Sequence, residues 1–174
     1  MKVRRLLALT GMFFCMTTAC TTNVALAQSQ ADDECLKPGN DELLKQGCTY
    51  LDEFMKAFNS RDAAAWSKTV HYPHIRVAGG QVQIWNRPEE YAGSNDAKQL
   101  AQASAWARSA WTYRKLVQKS DDKLHFVTRF TRYDASDKPI LSADSFYVLV
   151  KKDGRWGALV RSSYVGIIGK KTAF

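Results

Sequence analysis

Ala57-Phe-Asn-Ser-Arg-Asp62-Ala-Ala-Ala-Trp66-Ser-Lys-Thr-Val70-His71-Tyr-Pro-His74-Ile-Arg-Val-Ala-Gly79-Gly80-Gln-Val-Gln-Ile-Trp85 contains four transitions in under thirty residues. A helix ends at Asn59-Ser60. Asp62, whose short carboxylate can accept from the next free backbone amides, caps a second helix running to about Val70. Pro73 bars helical geometry at Tyr72, so the chain leaves extended. Ile75 and Val77 then alternate with Arg76, and Val82 and Ile84 with Gln81 and Gln83. Gly79-Gly80 between them permits the positive φ values of a two-residue hairpin turn.

Upstream, Leu43, Leu44, Cys48, Leu51, Phe54, Met55 and Phe58 recur at spacings of three and four, which predicts an amphipathic helix with Asn40 as its N-cap. Residues 28–39 are polar, carry Pro38-Gly39 and show no periodicity, so they read as a leader held only by a disulfide. Before them, Lys2, Arg4 and Arg5, the apolar run Leu6 to Met16, and Ala25-Leu26-Ala27 have the order of a secretory signal cleaved after Ala27. The apolar run is shorter than the roughly 20 residues that cross a bilayer. The alternative is a lipoprotein box at Thr17-Thr18-Ala19-Cys20, with threonine where leucine usually stands. Export predicts periplasmic or secreted localisation. It also leaves Cys35 and Cys48 in an oxidising compartment, where a single disulfide is expected rather than two unpaired thiols.

Downstream, Arg87-Pro88-Glu89-Glu90-Tyr91 starts a helical piece, interrupted at Gly93-Ser94-Asn95 and resuming from Asp96. Ala110–Lys119, Lys123–Asp134, Pro139–Lys152 and Arg155–Gly166 are rich in β-branched and aromatic residues. Polar turns separate them, Asp153-Gly154 being a hairpin signal. The fold class is therefore α+β: a curled antiparallel sheet of about six strands, one face of which is covered by three helical pieces from the N-terminal half. Residues 40–166 form one domain, with 167–174 a C-terminal tail.

The 25 Lys and Arg against 17 Asp and Glu give a net charge of +8. The signal carries three of the bases and no acid, so about +5 remains after cleavage. The bases are scattered and form no stripe, which speaks against nucleic acid as partner. No Ser-His-Asp order, phosphate-cradling glycine loop or CxxC is present, so triad hydrolases, nucleotide enzymes and thiol oxidoreductases find no support.

Phe54-x-x-Ala57-Phe58-Asn59-x-Arg61-Asp62 with Trp66, and Tyr147-Val-Leu-Val-x-x-Asp153-Gly154-Arg155-Trp156-x-x-x-x-x-Ser162-Ser163, together resemble the nuclear transport factor 2-like superfamily. That superfamily includes SnoaL-like cyclases and ketosteroid isomerase. The resemblance spans about residues 41–166. It implies a cone of curled sheet with a pocket inside, and frequently a homodimer through the outer sheet face. Such scaffolds carry both enzymes and binders, so function is argued from the site.

Asp144 shares a strand face with Ser142, Phe146, Val148 and Val150. A carboxylate there is either paired with Arg129, Arg132 or Arg161, or desolvated into a general base. His71 and His74 flank Pro73; extended residues three apart point to opposite sides, which argues against a chelating pair. His71 suits the end of the second helix and is the other candidate base. Trp66, His74, Tyr91, Trp106, Arg129, Tyr147 and Arg161 are the candidate pocket residues. Among them an arginine or Tyr147 would steady a developing oxyanion, while Tyr91 and Trp66 shape the wall. No cofactor and no metal is expected. Three readings follow: a pocket domain for a small apolar or aromatic molecule, an isomerase, dehydratase or cyclase working by proton transfer, and a dimeric interaction domain.

Overall fold

The structure, a computed structural model, describes residues 32–165. The expected signal segment, the cleavage point at Ala27, the alternative anchor Cys20 and the tail 167–174 lie outside the described residues. A 3-10 turn at Glu34–Leu36 precedes helix α1, Glu42–Asn59, and helix α2, Ala63–Ser67. Strands β1, Val70–Ala78, and β2, Gln81–Trp85, form the expected hairpin. Helices α3, Pro88–Ser94, and α4, Ala97–Ala103, lead into β3, Arg108–Lys119, β4, Lys123–Tyr133, β5, Pro139–Lys152, and β6, Arg155–Ser163. The third helical piece is thus two short helices, and Asp96 caps the second by accepting from Lys98 N at 2.8 Å.

The helix starts are set by carboxylates. Asp41, one residue after the expected Asn40, caps α1 by accepting from Leu44 N at 3.1 Å, satisfying an amide with no helical partner. Asp62 accepts from both Ala64 N and Ala65 N. After α1 the chain turns at Arg61, whose φ is +60°.

The sheet runs β2-β1-β6-β5-β4-β3 and is open. Four pairings are antiparallel, but β1 pairs with β6 in parallel, so the sheet is mixed rather than wholly antiparallel. Parallel neighbours need a long connection between them, and here the chain between β1 and β6 supplies it. Register shifts in β1, β3, β5 and β6 mark bulges that bend the strands.

Helix α1 lays Leu44, Cys48, Leu51, Phe54, Met55 and Phe58 on the sheet's inner face. At Gly47 the helix lies tight against the sheet: a Cβ there would stand 2.5 Å from the ring of Phe126. Trp66 from α2 packs on Phe54 and Phe58, with ring centroids 5.9 and 4.8 Å away. Tyr91 from α3 wedges between Trp66, Trp85 and His74.

The leader is held by more than its disulfide. Cys35 and Cys48 are joined, with Cα atoms 5.4 Å apart. In addition Asp33, 5% exposed, forms a buried ion pair with Arg114 of β3, and Glu34 accepts from Leu116 N on the strand edge. The missing periodicity hid these contacts because single polar side chains, not an apolar face, make them.

In β1 and β2, strand polarity is inverted relative to ordinary amphipathic strands. On β1, His74 and Arg76 face inward and are buried, whereas Val77 faces outward and is 40% exposed. On β2 the outward residues are Val82 and Ile84, 64% and 57% exposed. On β5, Ser145, Tyr147 and Leu149 face inward while Phe146, Val148 and Val150 lie half-buried on the outer face.

Candidate functional site

Between α1 and the inner face of the sheet lies a narrow cleft of about 40 Å³, open to solvent at its mouth. Its aromatic wall is Phe54, Phe58, Trp66, Trp111, Phe130 and Tyr147. Its polar wall is Arg76, Arg132, Arg161, Ser145 and Ser163. No carboxylate and no imidazole is among the described side chains that line it.

Parallel register sets Arg76 of β1 beside Arg161 of β6. Neighbouring strands are about 4.8 Å apart, so two like charges share one spot of the inner face. Both are nearly buried, at 5% and 6% exposure. Arg161 lies over the faces of Phe54, Trp66 and Tyr147, with its guanidinium carbon 5.3, 5.6 and 6.0 Å from their ring centroids. Such contact stabilises a desolvated cation through the ring quadrupole. Arg76 donates from Nη2 to the carbonyl of Val165 at 3.1 Å.

The charges strain one another. Burial, then the charge of Arg161, pushes the Arg76 guanidinium down to about 9. The same two causes push Arg132 down to about 10. Burial also opposes the charge on Arg161, but the phenols of Tyr91 and Tyr147 beside it outweigh that penalty and it holds its proton more tightly than in water. All three remain cations at neutral pH. The Nε atoms of Arg132 and Arg161, Ser145 Oγ and Trp66 Nε1 are buried without a hydrogen-bond partner among the described residues. Buried polar atoms are almost always paired, so several partnerless ones around one cleft are an exception to the rule.

Of the residues nominated from sequence, Trp66, Tyr147 and Arg161 line the cleft. His74 and Tyr91 stand behind it. His74 Nδ1 lies 3.0 Å from the carbonyl of Ala158, which only accepts, so Nδ1 carries the proton and Nε2 is left as a buried acceptor. Burial, then the charge of Arg161, pushes this imidazole down to about 3, so it stays neutral. Trp106 packs on Phe58 and donates to Ser109 Oγ at 2.9 Å, a core position.

Asp144 and Arg129 are not brought to the cleft. They face each other on the outer surface, about half exposed, with Arg129 Nε donating to the carboxylate at 2.7 Å. His71 is also elsewhere. Its Nδ1 accepts from Arg155 Nη2 at 3.0 Å and its Nε2 lies 3.1 Å from the Arg155 carbonyl, so the ring fastens the β5–β6 hairpin. Arg76, Arg132 and Ser145 were not among the nominated pocket residues. A signal for Arg76 was available: it shares its strand face with His74, opposite Ile75 and Val77. The β-branched side marks the core in most strands, and here it is the outside.

No protein-family model matches this sequence, and no protein of curated function does. Solved structures do match in fold. A nuclear transport factor 2-like protein of unknown function from Shewanella oneidensis is 16% identical, with a TM-score of 0.55 over 70% of this chain and 98% of its own. A nuclear transport factor 2-like protein with a cystatin-like fold from Novosphingobium aromaticivorans is 11% identical, with a TM-score of 0.56 over 87% and 92%. A Catenulispora acidiphila protein solved in complex with S-DNPA is 13% identical, with a TM-score of 0.57 over 70% and 92%. The chain has the nuclear transport factor 2-like fold.

Proposed function

We propose that this protein is an exported, non-catalytic binding domain whose cleft holds a small molecule with an anionic group and an aromatic or short apolar body. The observation that carries this reading is the pair of buried guanidinium Nε atoms, of Arg132 and Arg161, that have no hydrogen-bond partner among the described residues, in a cleft with no carboxylate among its described lining side chains. A buried guanidinium is stabilised by a bidentate carboxylate or phosphate, and the flat aromatic wall suits the rest of such a ligand. One neighbour of the same fold was solved with a small molecule bound, which supports ligand binding as the use of this scaffold. The acid–base alternative has less support, because neither Asp144 nor His71 is among the cleft's lining residues. Calorimetric titration with benzoate and with neutral benzamide tests the reading. Benzoate is expected to bind at least tenfold tighter; equal binding, or none, overturns it.

A second reading concerns assembly. The outward row of Val77, Val82 and Ile84, continued by Phe146 and Val148 across the sheet, is an apolar face of the kind that marks an interface. A homodimer through this face is expected, and sedimentation of the protein at micromolar concentration should give twice the monomer mass. Ile84→Lys should then yield monomer. Export is supported by the Cys35–Cys48 disulfide, which suits an oxidising compartment.

A further inference from the structure

We infer that the ligand of this cleft carries, beside its anionic group, a neutral oxygen read by Ser145, which makes it a hydroxy- or oxo-acid rather than a plain apolar acid. The inference rests on the anion-binding reading above and adds to it the second polar point of the ligand.

Ser145 stands in a row of three inward hydroxyls, paired in register with Thr128 of β4 and Ser163 of β6. The two flanking hydroxyls are committed. Thr128 Oγ1 donates to the Ser145 carbonyl at 3.2 Å. Ser163 Oγ donates to the Val165 carbonyl at 3.2 Å and accepts from Val165 N at 3.1 Å. Ser145, 5% exposed and lining the cleft, has an Oγ without a hydrogen-bond partner among the described residues. Of the three hydroxyls in this row, it is the one left to meet a molecule in the cleft.

Trp66 adds a constraint on chemistry. Its Nε1 is buried without a partner among the described residues, on the same cleft's wall. An indole N–H only donates, so whatever pairs with it must accept. A serine hydroxyl can donate or accept. The neutral group common to both needs is an oxygen with a lone pair: a hydroxyl or a carbonyl.

The placement is compatible with one small molecule. Ser145 pairs with Ser163, and Arg161 lies two residues before Ser163 on the same strand, so Ser145 and Arg161 are diagonal neighbours about 7–8 Å apart. A molecule that sets its carboxylate against the arginines therefore brings its adjacent atoms past Ser145. A plain apolar acid would pair the arginines yet leave the hydroxyl desolvated and unmatched. Matching one such group typically changes affinity by about five- to twentyfold.

The test compares benzoate with its 2-, 3- and 4-hydroxy isomers by calorimetric titration on the wild-type protein and on Ser145→Ala. At least one isomer is expected to bind about tenfold tighter than benzoate, and Ser145→Ala is expected to bring that ratio close to one. Four acids of equal affinity overturn the inference while leaving the anion reading standing. So does a preference that survives in Ser145→Ala. Failure of all four to bind overturns the anion reading and this inference together. The isomer series on wild type needs no variant to fold, and Ser145→Ala removes a single buried oxygen atom.

Discussion

Arg76 and Arg161 stand side by side on the parallel pair β1–β6, two nearly buried cations on one face of the sheet. Like charges in register destabilise a sheet, and desolvation adds to the cost. The arrangement persists because the surroundings answer part of it: the aromatic faces around Arg161, its two neighbouring phenols, and the Val165 carbonyl on Arg76. On the proposed reading, an anion in the cleft would add to them at Arg161 and Arg132. On this account affinity and stability are opposed at these positions.

The opposition predicts the behaviour of Arg161→Met. Replacing a buried cation that has no ion-pair partner among the described residues with an apolar chain of similar length removes a desolvation penalty. The variant should therefore unfold at the wild-type temperature or above it, while its affinity for benzoate falls at least tenfold. Thermal unfolding and titration on the same preparation check both halves. A large loss of stability would show that Arg161 serves the fold and not the ligand.

Acid should destabilise the protein through His74. The folded imidazole is depressed to about 3, whereas in the unfolded chain it titrates near 6.5. Between those values the unfolded state binds the proton and the fold does not, so stability falls as pH drops from about 6.5 toward 3. His71, depressed by burial and then by the Arg155 charge, acts in the same direction. His74→Asn keeps a donor for the Ala158 carbonyl but cannot titrate. Urea midpoints at pH 7 and pH 4.5 should differ less in this variant than in wild type.

Gly47→Ala sets helix propensity against packing. Alanine in a helix interior gains about 1 kcal/mol over glycine. Here the new Cβ would meet Phe126 at 2.5 and 2.6 Å and Leu124 at 3.0 Å, and both residues are fully buried. Overpacking a tight core costs about 1–3 kcal/mol, so the expected net effect is destabilising. Chemical unfolding measures it, and a more stable variant would mean that α1 can lift from the sheet.

The leader offers a fourth test. Cys35–Cys48 closes a loop of sequence separation 13, for which the chain-entropy model gives about 3 kcal/mol. The Asp33–Arg114 pair holds the same segment by a second route. Breaking a buried pair by removing one partner costs about 3–5 kcal/mol, because the other charge is left unmatched. Asp52 also contacts Arg114 and is 63% exposed, which lowers the cost. Asp33→Asn should thus destabilise clearly while thiol titration of the unfolded, unreduced protein still finds Cys35 and Cys48 oxidised.

Much of this architecture was legible in local chemistry. Asp62 as a cap, the Gly79-Gly80 turn with φ of +57° and +69°, and the Asp153-Gly154 turn follow from backbone preferences that neighbours alone impose. Other residues of the same stretch owe their roles to distant partners. Asn59 ends α1, but its amide also donates to the Ser109 carbonyl and accepts from Ser109 N, fastening the helix to β3. Arg61 donates to the Ala107 carbonyl and lies 5.2 Å from the Trp106 ring centroid. Spacing cannot announce a contact across fifty residues.

Helix periodicity, turn glycines and the order of the elements are consequences of short-range sterics and hydrogen bonding, and so could be read along the chain. Which face of each strand lies inside is a long-range matter. Alternation divides a strand into two sides without saying which meets the helix, and the usual rule that the apolar side turns inward fails for β1 and β2. The parallel pairing of β1 with β6 turned Arg76 toward Arg161, and the turn of β5 sent Asp144 outward to Arg129. Those contacts arise only when distant segments dock, because they depend on register between strands and not on the neighbours of any one residue.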